Sequence, residues 1–164
     1  MTLKWEYTQH IEGVHVRELE SHSDMRGTLT ELFRKDWLDG LGSDLLPQMA
    51  YVSVTKPNVA RGPHEHREQT DIFAFMGQGR FRIWLWDARV GSPTQGSQMI
   101  FEAGVGHPTV VIVPPGVVHG YKNVSAENGM VLNFPNRLYA GYGKTDPVDE
   151  IRHEEDKDGQ FVMA

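Results

Sequence analysis

The sequence has no cysteine among its 164 residues. Disulfide bonds, cysteine-ligated zinc and cysteine nucleophiles are therefore excluded. It also has no run near the ~20 apolar residues that a membrane-spanning helix needs. Its opening stretch, "MTLKWEYTQH", lacks the apolar centre of a signal peptide. We therefore expect a cytoplasmic protein without a membrane partner.

Positive charge is also scarce, because 16 Lys and Arg stand against 22 Asp and Glu, for a net charge of −6. This balance argues against binding a nucleic acid polymer, which requires a basic face. A local group of arginines can still bind a small anion. The length predicts a single domain over residues 1–164. Within it, the highly charged residues 144–164 are expected to form a C-terminal surface tail.

Helical periodicity is nearly absent, and short β-like runs take its place. Examples are "AYVSVT", "RFRIWLWDAR" and "TVVIVPPG", separated by turns that use many of the 17 glycines and nine prolines. Together they predict an all-β sandwich or barrel. Residues 29–41 form the one plausible helix, although their beginning could also be a strand. Trp84 and Trp86 share one strand face, which predicts a packing or dimer surface.

The stretch "RGPHEHREQTD" (residues 61–71) contains two histidines one residue apart. On a strand, His64 and His66 would project from the same face, and the carboxylate of Asp71 follows. Such a set fits a metal site or an acid/base site. It equally fits two strand histidines that make ordinary hydrogen bonds.

A second stretch, "PPGVVHGYKN" (residues 114–123), resembles the second motif of the cupin barrels, and "HEHREQTDIFAFMGQG" resembles the first. The resemblance implies an all-β cupin-type double-stranded β-helix, or jelly-roll barrel, with few short helices. It also implies one shared pocket, whose possible ligands suit Fe, Mn, Ni or Zn. These ligands are His64, His66, Asp71 and His119.

Further motifs resemble a narrower cupin group, the dTDP-4-dehydrorhamnose 3,5-epimerase family, which acts on nucleotide-linked 4-keto sugars. They are "SDMRGTLTELF", "NVARGPHEH", "GSPTQG" and "PPGVVHGY", and the resemblance covers residues 24–139. It implies a carbohydrate epimerase or isomerase that removes a proton next to a ketone and requires no cofactor. It also implies a homodimer, with the N-terminal strands at its interface.

The resemblance carries roles to individual residues. His64 falls on the catalytic base, and His119 joins it as a catalytic residue at the cavity wall. Arg61 falls on a ligand for the sugar oxygens, and Arg26 on a contact for the diphosphate, which suits the bidentate guanidinium. The other expected substrate-binding residues are Glu31, Gln48 and Tyr139.

Three positions depart from the family pattern. Asn133 stands where the family has a tyrosine acid, and Asp71 or Ile72 stands where it has a lysine. The aspartate that orients the base has no clear counterpart, and Asp149 and Asp156 are candidates. Two alternatives therefore stay open, a metal-dependent cupin enzyme and a non-catalytic binder of sugar nucleotides.

Overall fold

The computed structural model describes residues 10–156 and 159–164, and strands dominate it. The strands are β1 (His15–Glu18), β2 (Ser21–Asp24), β3 (Gly27–Thr30), β4 (Tyr51–Thr55), β5 (Ala60–Glu65), β6 (Asp71–Phe75), β7 (Arg80–Asp87), β8 (Gln98–Gly104), β9 (Thr109–Val113), β10 (Val117–Asn123), β11 (Gly129–Asn133) and β12 (Ile151–Arg152). Short 3-10 turns occur at Lys35–Leu38, Ser43–Leu45 and Tyr142–Lys144.

The strands form two five-stranded sheets, and every pair is antiparallel. Sheet one has the order β1-β9-β6-β11-β4, sheet two has the order β12-β5-β10-β7-β8, and β2 and β3 form a separate hairpin. From β4 onward, the chain changes sheet at almost every connection. Such winding is typical of a jelly-roll barrel, and it confirms the all-β prediction.

Aromatic rings fill the space between the two sheets. The Tyr121 ring meets the rings of Phe75 and Phe81 edge to face, at centroid distances of 5.4 and 5.5 Å. This arrangement suits the ring quadrupoles. Each fully buried phenylalanine contributes about 1.5–3 kcal/mol through the apolar surface it removes from water. The polar residues of the candidate site lie at one end of this packed interior.

The outer faces of both sheets are covered as well. Leu38 and its neighbours pack on Ile72 of sheet one. Phe161 and Met163 pack on the buried Trp84 and Trp86 of sheet two. Strands β6 and β9 are consequently buried at every position, so their sequences are continuous apolar runs. The packing surface expected at the two tryptophans is confirmed.

The helix considered for residues 29–41 does not form, and the strand alternative for its beginning is correct. Strand β3 covers Gly27–Thr30, and Lys35–Leu38 forms a single 3-10 turn. Gly40 and Gly42 have positive φ angles, which interrupt a helix. The apolar side chains of this segment need only a sheet to pack on, so their burial does not require a continuous helix.

The C-terminal segment is more than a charged tail. Strand β12 pairs with β5, where Ile151 lies opposite Glu65 and Arg152 opposite His64. Phe161 and Met163 then return to the outer face of sheet two. The segment thus forms one wall of the barrel beside the candidate site. In the described residues no helix is long and apolar enough to cross a membrane.

Gly62 in β5 determines how closely β5 approaches β10. Its φ is +81°, and a Cβ atom there would lie 2.6 Å from the His119 carbonyl oxygen. We expect Gly62→Ala to lower the free energy of unfolding by about 3 kcal/mol, through backbone strain and overpacking.

Gly91→Ala is the matched control, because Gly91 has the same φ of +81° and open space around the Cβ position. It should cost only about 1–2 kcal/mol of backbone strain. Urea denaturation of both variants measures the difference. Equal losses would show that β5 and β10 are not in the close contact described here.

Candidate active site

One end of the barrel opens into a cavity of about 960 Å³. Strand β4 of sheet one and strand β5 of sheet two both line it, together with the segments around residues 135–142 and 146–154. Five of the residues predicted from the sequence line this cavity: Gln48, Arg61, His64, His66 and Tyr139. Its size is ample for a sugar ring with attached groups.

His64 and His119 come together because β5 and β10 pair with these residues directly opposite. Their ring centroids are 4.4 Å apart. The buried His119 is oriented by its own strand, since its Nδ1 lies 3.0 Å from the carbonyl oxygen of Val117. His64 is less constrained. Its Nδ1 is buried without a hydrogen-bond partner among the described residues, and Glu150 Oε1 lies 4.0 Å away.

The carboxylate of Asp71 lies beneath these rings and is 1% exposed. Its Oδ2 lies at ion-pair distance from both histidines, 3.1 Å from His66 Nε2 and 3.2 Å from His119 Nε2. Its Oδ1 accepts hydrogen bonds from Gln69 Nε2 and Asn133 Nδ2, both at 2.9 Å. A buried carboxylate is costly unless it is satisfied in this way.

The C-terminal segment holds His66 in place. His66 Nδ1 is hydrogen-bonded to the backbone carbonyl of Asp149. The Asp149 side chain accepts backbone N–H groups from residues 67–69, which orders the turn after β5. Asp149 therefore supports His66 rather than orienting His64. The carboxylate that faces His64 belongs to Glu150.

Burial and neighbouring charges shift the pKa values of His64, His66 and Asp71 in different directions. Burial, together with the charges of His119 and His66, lowers the pKa of His64 to about 3. Burial opposes the charged form of His66, but Asp71 raises its pKa overall. Burial alone would raise the pKa of Asp71, yet the contacts with His119 and His66 hold it far below its usual range. His64 is thus a neutral imidazole beside a buried ion pair.

The same residues include the metal set predicted from the sequence. His64, His66, Asp71 and His119 offer ligand atoms that lie within 4.8 Å of one another. His66 and His119 both turn Nδ1 toward a backbone carbonyl and Nε2 toward Asp71. Metal-ligating histidines are commonly oriented in this way. The donors therefore fit a divalent transition metal by type, and they also fit a metal-free ion pair.

Two predicted substrate ligands lie away from this cavity. Arg26 is on the β2–β3 hairpin, where it pairs with Asp24 and its side chain is 90% exposed. Glu31 pairs with Arg34. Arg61, in contrast, lines the cavity and donates to Thr55 Oγ1 at 3.0 Å.

Several cavity residues were not predicted from the sequence. Glu150 and Glu154 line the cavity, on either side of Arg152. Their period of two is a strand signal that "DEIRHEE" already contains. Tyr51 was missed as well, and no local pattern marks it, because it reaches the cavity only through the pairing of β4 with β11.

Comparison with known proteins gives a consistent family. The sequence profile described as dTDP-4-dehydrorhamnose 3,5-epimerase matches residues 8–145. The chain is 37% identical over 131 residues to the probable low-salt glycan biosynthesis epimerase Agl13 of Haloferax volcanii, which covers 79% of this chain and 81% of that protein. It is 32% identical over 144 residues to the spore coat polysaccharide biosynthesis protein SpsL of Bacillus subtilis, covering 87% and 88% of the two chains.

A solved structure supports the fold. ChmJ, a 3'-monoepimerase from Streptomyces bikiniensis crystallised with dTDP-quinovose, superposes with a TM-score of 0.76 at 24% identity. The match covers 90% of this chain and 72% of that chain. At this identity the likeness shows the fold, and it confirms the cupin-type barrel.

The low pKa of His64 has a consequence for stability. The native ring stays neutral down to about pH 3, whereas the ring in the unfolded chain takes up a proton below its usual 6.5. Acidification therefore favours unfolding through this group. Between pH 7 and pH 5 we expect His64 to remove about 2 kcal/mol from the free energy of unfolding.

Urea denaturation of the wild type and of His64→Asn at both pH values measures this contribution. The variant should lose less stability than the wild type on acidification, by about that amount. Equal losses in the two proteins would mean that His64 titrates normally in the native state.

Proposed function

Because the chain belongs to the dTDP-4-dehydrorhamnose 3,5-epimerase family, we propose that it is a carbohydrate epimerase acting on a nucleotide-linked 4-keto sugar. One observation carries the proposal: a neutral, buried His64 lies in the wall of a sugar-sized cavity. A dTDP-linked sugar is the ligand in the ChmJ structure, and it is our candidate here. The cytoplasmic location stays a prediction.

His64 is the proposed general base. It would take a proton from a carbon next to the ketone, and the electron pair would move onto the carbonyl oxygen to form an enolate. Glu150, 4.0 Å from His64 Nδ1, would stabilise the ring once it carries the proton. A contact of this length can tighten when substrate binds.

Arginines are the proposed partners of the negative charge on the substrate. Arg61, Arg137 and Arg152 line the cavity, and the last two pair with Glu68 and Glu150. Arg61 forms no ion pair with a carboxylate within the described part of the chain. Its guanidinium is held by Thr55 Oγ1 and the carbonyl of Val54, which leaves other N–H groups for sugar oxygens or the enolate.

No cofactor takes part in this mechanism. The second candidate function is a metal-dependent cupin enzyme, and the clustering of His64, His66, Asp71 and His119 favours it. A bound metal would supply a Lewis acid for the carbonyl oxygen. The ion pair between His66 and Asp71 favours the metal-free mechanism, because it satisfies the buried carboxylate with the chain's own charge.

Deuterium exchange tests the epimerase proposal. In D2O the wild type should exchange the protons next to the ketone of dTDP-4-keto-6-deoxyglucose. His64→Asn should lower that rate at least ~100-fold, because the base is lost. NMR of the recovered sugar measures the exchange. His10→Asn is the matched control, since His10 is exposed.

Two results would contradict the proposal. The first is a wild type that exchanges no nucleotide-linked keto sugar, which would favour a non-catalytic binder. The second is stoichiometric Fe, Mn, Ni or Zn in protein purified without chelator, with both metal and activity lost in His66→Ala. That outcome would favour the metal enzyme.

We also propose that the protein is a homodimer. The β2–β3 hairpin pairs with no other described strand of its own chain, and a lone two-stranded hairpin is marginally stable. Met25 at its tip and Leu29 are exposed apolar residues, and so are Val52 and Val54 on the sheet-one edge strand β4. A partner would cover these surfaces. The hairpin would then bring Arg26 and Glu31 to the partner's cavity.

Complementation between two inactive variants tests this arrangement. We expect Arg26→Ala to lose activity because the diphosphate contact is missing, and His64→Asn to lose it because the base is missing. Co-expressed, they should recover about a quarter of wild-type activity, since half of the dimers are mixed and each mixed dimer has one intact site. Sedimentation checks the dimer. No recovery in mixed dimers would place Arg26 at its own subunit's site, or away from any site.

A further inference from the structure

Inversion at a carbon requires a proton donor on the face opposite the base. His64 reaches the cavity from β5 of sheet two, and a tyrosine, Tyr51, reaches it from β4 of sheet one. Tyr51 in β4 lies directly opposite Asn133 of β11 in the strand register, and it lines the cavity together with His64. Its hydroxyl oxygen is 2.8 Å from Asn133 Nδ2.

The Asn133 side chain is oriented by the hydrogen bonds around it. Its Oδ1 accepts the backbone N–H of Ile72 at 3.2 Å, so the other end of the amide is the NH2 group. That group donates one hydrogen to Asp71 Oδ1 and the other to the Tyr51 hydroxyl. An amide nitrogen cannot accept a hydrogen bond. The proton of the Tyr51 hydroxyl is therefore not used by Asn133.

The other tyrosines around the cavity lack this combination. The Tyr121 hydroxyl is 2.9 Å from Ser53 Oγ, and its ring is buried among phenylalanines. Tyr51, Tyr139 and Tyr142 are 46%, 52% and 88% exposed, and of these three it is the Tyr51 hydroxyl that is hydrogen-bonded to Asn133. Among these four tyrosines, only Tyr51 both lines the cavity and has a hydroxyl bonded to Asn133. Asn133 in turn bonds the buried carboxylate of Asp71.

We propose that Tyr51 is the general acid that returns a proton to the sugar carbon on the face opposite His64, with Asn133 stabilising the resulting phenolate. This inference rests on the epimerase function proposed above. It assigns a catalytic role to a residue that no motif of the sequence marks.

The proton balance is complete without a further reactant. His64 takes the proton from the carbon next to the ketone, and the C–H electron pair forms the enolate. The enolate collapses to the ketone as the same carbon takes the proton of the Tyr51 hydroxyl on its other face. Tyr51 is left as a phenolate that accepts the N–H of Asn133, and solvent returns one proton to Tyr51 while His64 releases one.

The surroundings of Tyr51 suit a donor that must hold its proton until the enolate forms. Burial raises the pKa of Tyr51 to about 12, although the hydrogen bond from Asn133 acts in the opposite direction. At neutral pH the phenol is consequently protonated. The Asn133 hydrogen bond strengthens once the oxygen carries a charge, so it favours the transition state over the resting phenol.

An assay of Tyr51→Phe in D2O distinguishes removal of the proton by His64 from its return on the other face of the sugar carbon, because the substitution removes only the hydroxyl. The variant should keep the His64-dependent exchange of the proton next to the ketone, with deuterium returned to the original face. Formation of the epimer should fall at least ~100-fold. NMR distinguishes deuterated substrate from deuterated epimer.

Tyr142→Phe is the matched control, since it removes a hydroxyl from an exposed tyrosine of the same cavity. Thermal melting checks that all variants fold. Epimer formation by Tyr51→Phe near the wild-type rate would overturn the assignment of Tyr51 while leaving the epimerase function intact. Loss of exchange along with epimer formation would also overturn it, because Tyr51 would then serve the first proton transfer. A wild type without exchange would overturn both proposals.

Discussion

The buried carboxylate of Asp71 is the constraint on which the candidate site depends. Each of its oxygens contacts two side chains, His66 and His119 at one and Gln69 and Asn133 at the other. These partners come from β10, β11 and the segment that links β5 to β6. A charge at this depth is tolerated only with such partners, so the ends of these strands are held in one arrangement.

The C-terminal segment extends that arrangement to the cavity. Asp149 caps the turn that carries Gln69, and its carbonyl holds His66. The adjoining strand β12 pairs with β5, which brings Glu150 within 4.0 Å of His64. The sequence of this charged segment predicts a solvated surface, but the segment forms one wall of the cavity. Its charges are satisfied by backbone N–H groups and by the ion pair between Arg152 and Glu150, and not only by water.

The departures from the family pattern form one connected network. By the resemblance to the family, Asp71 or Ile72 stands where a lysine is expected, and Asp71 pairs with His66, which the epimerase motif does not include. Asn133 stands where a tyrosine is expected, and it bonds both Asp71 and Tyr51. Tyr51 and Asn133 face each other across paired strands, so a phenol lies beside the position where the family pattern has one. These positions are therefore coupled through direct contacts, as expected of residues that share one buried charge.

The sequence by itself determined the all-β class, the family, the residues His64 and Arg61 at the cavity, and His119 buried against His64. Periodicity, turn residues and motif spacing are local, so they can be recognised in one dimension. The tertiary structure decided that Asp71 joins two histidines, that Glu150 and not Asp149 faces His64, and that Tyr51 meets Asn133. These contacts join residues far apart in the chain. Strand order and register produce them, and no local pattern specifies either.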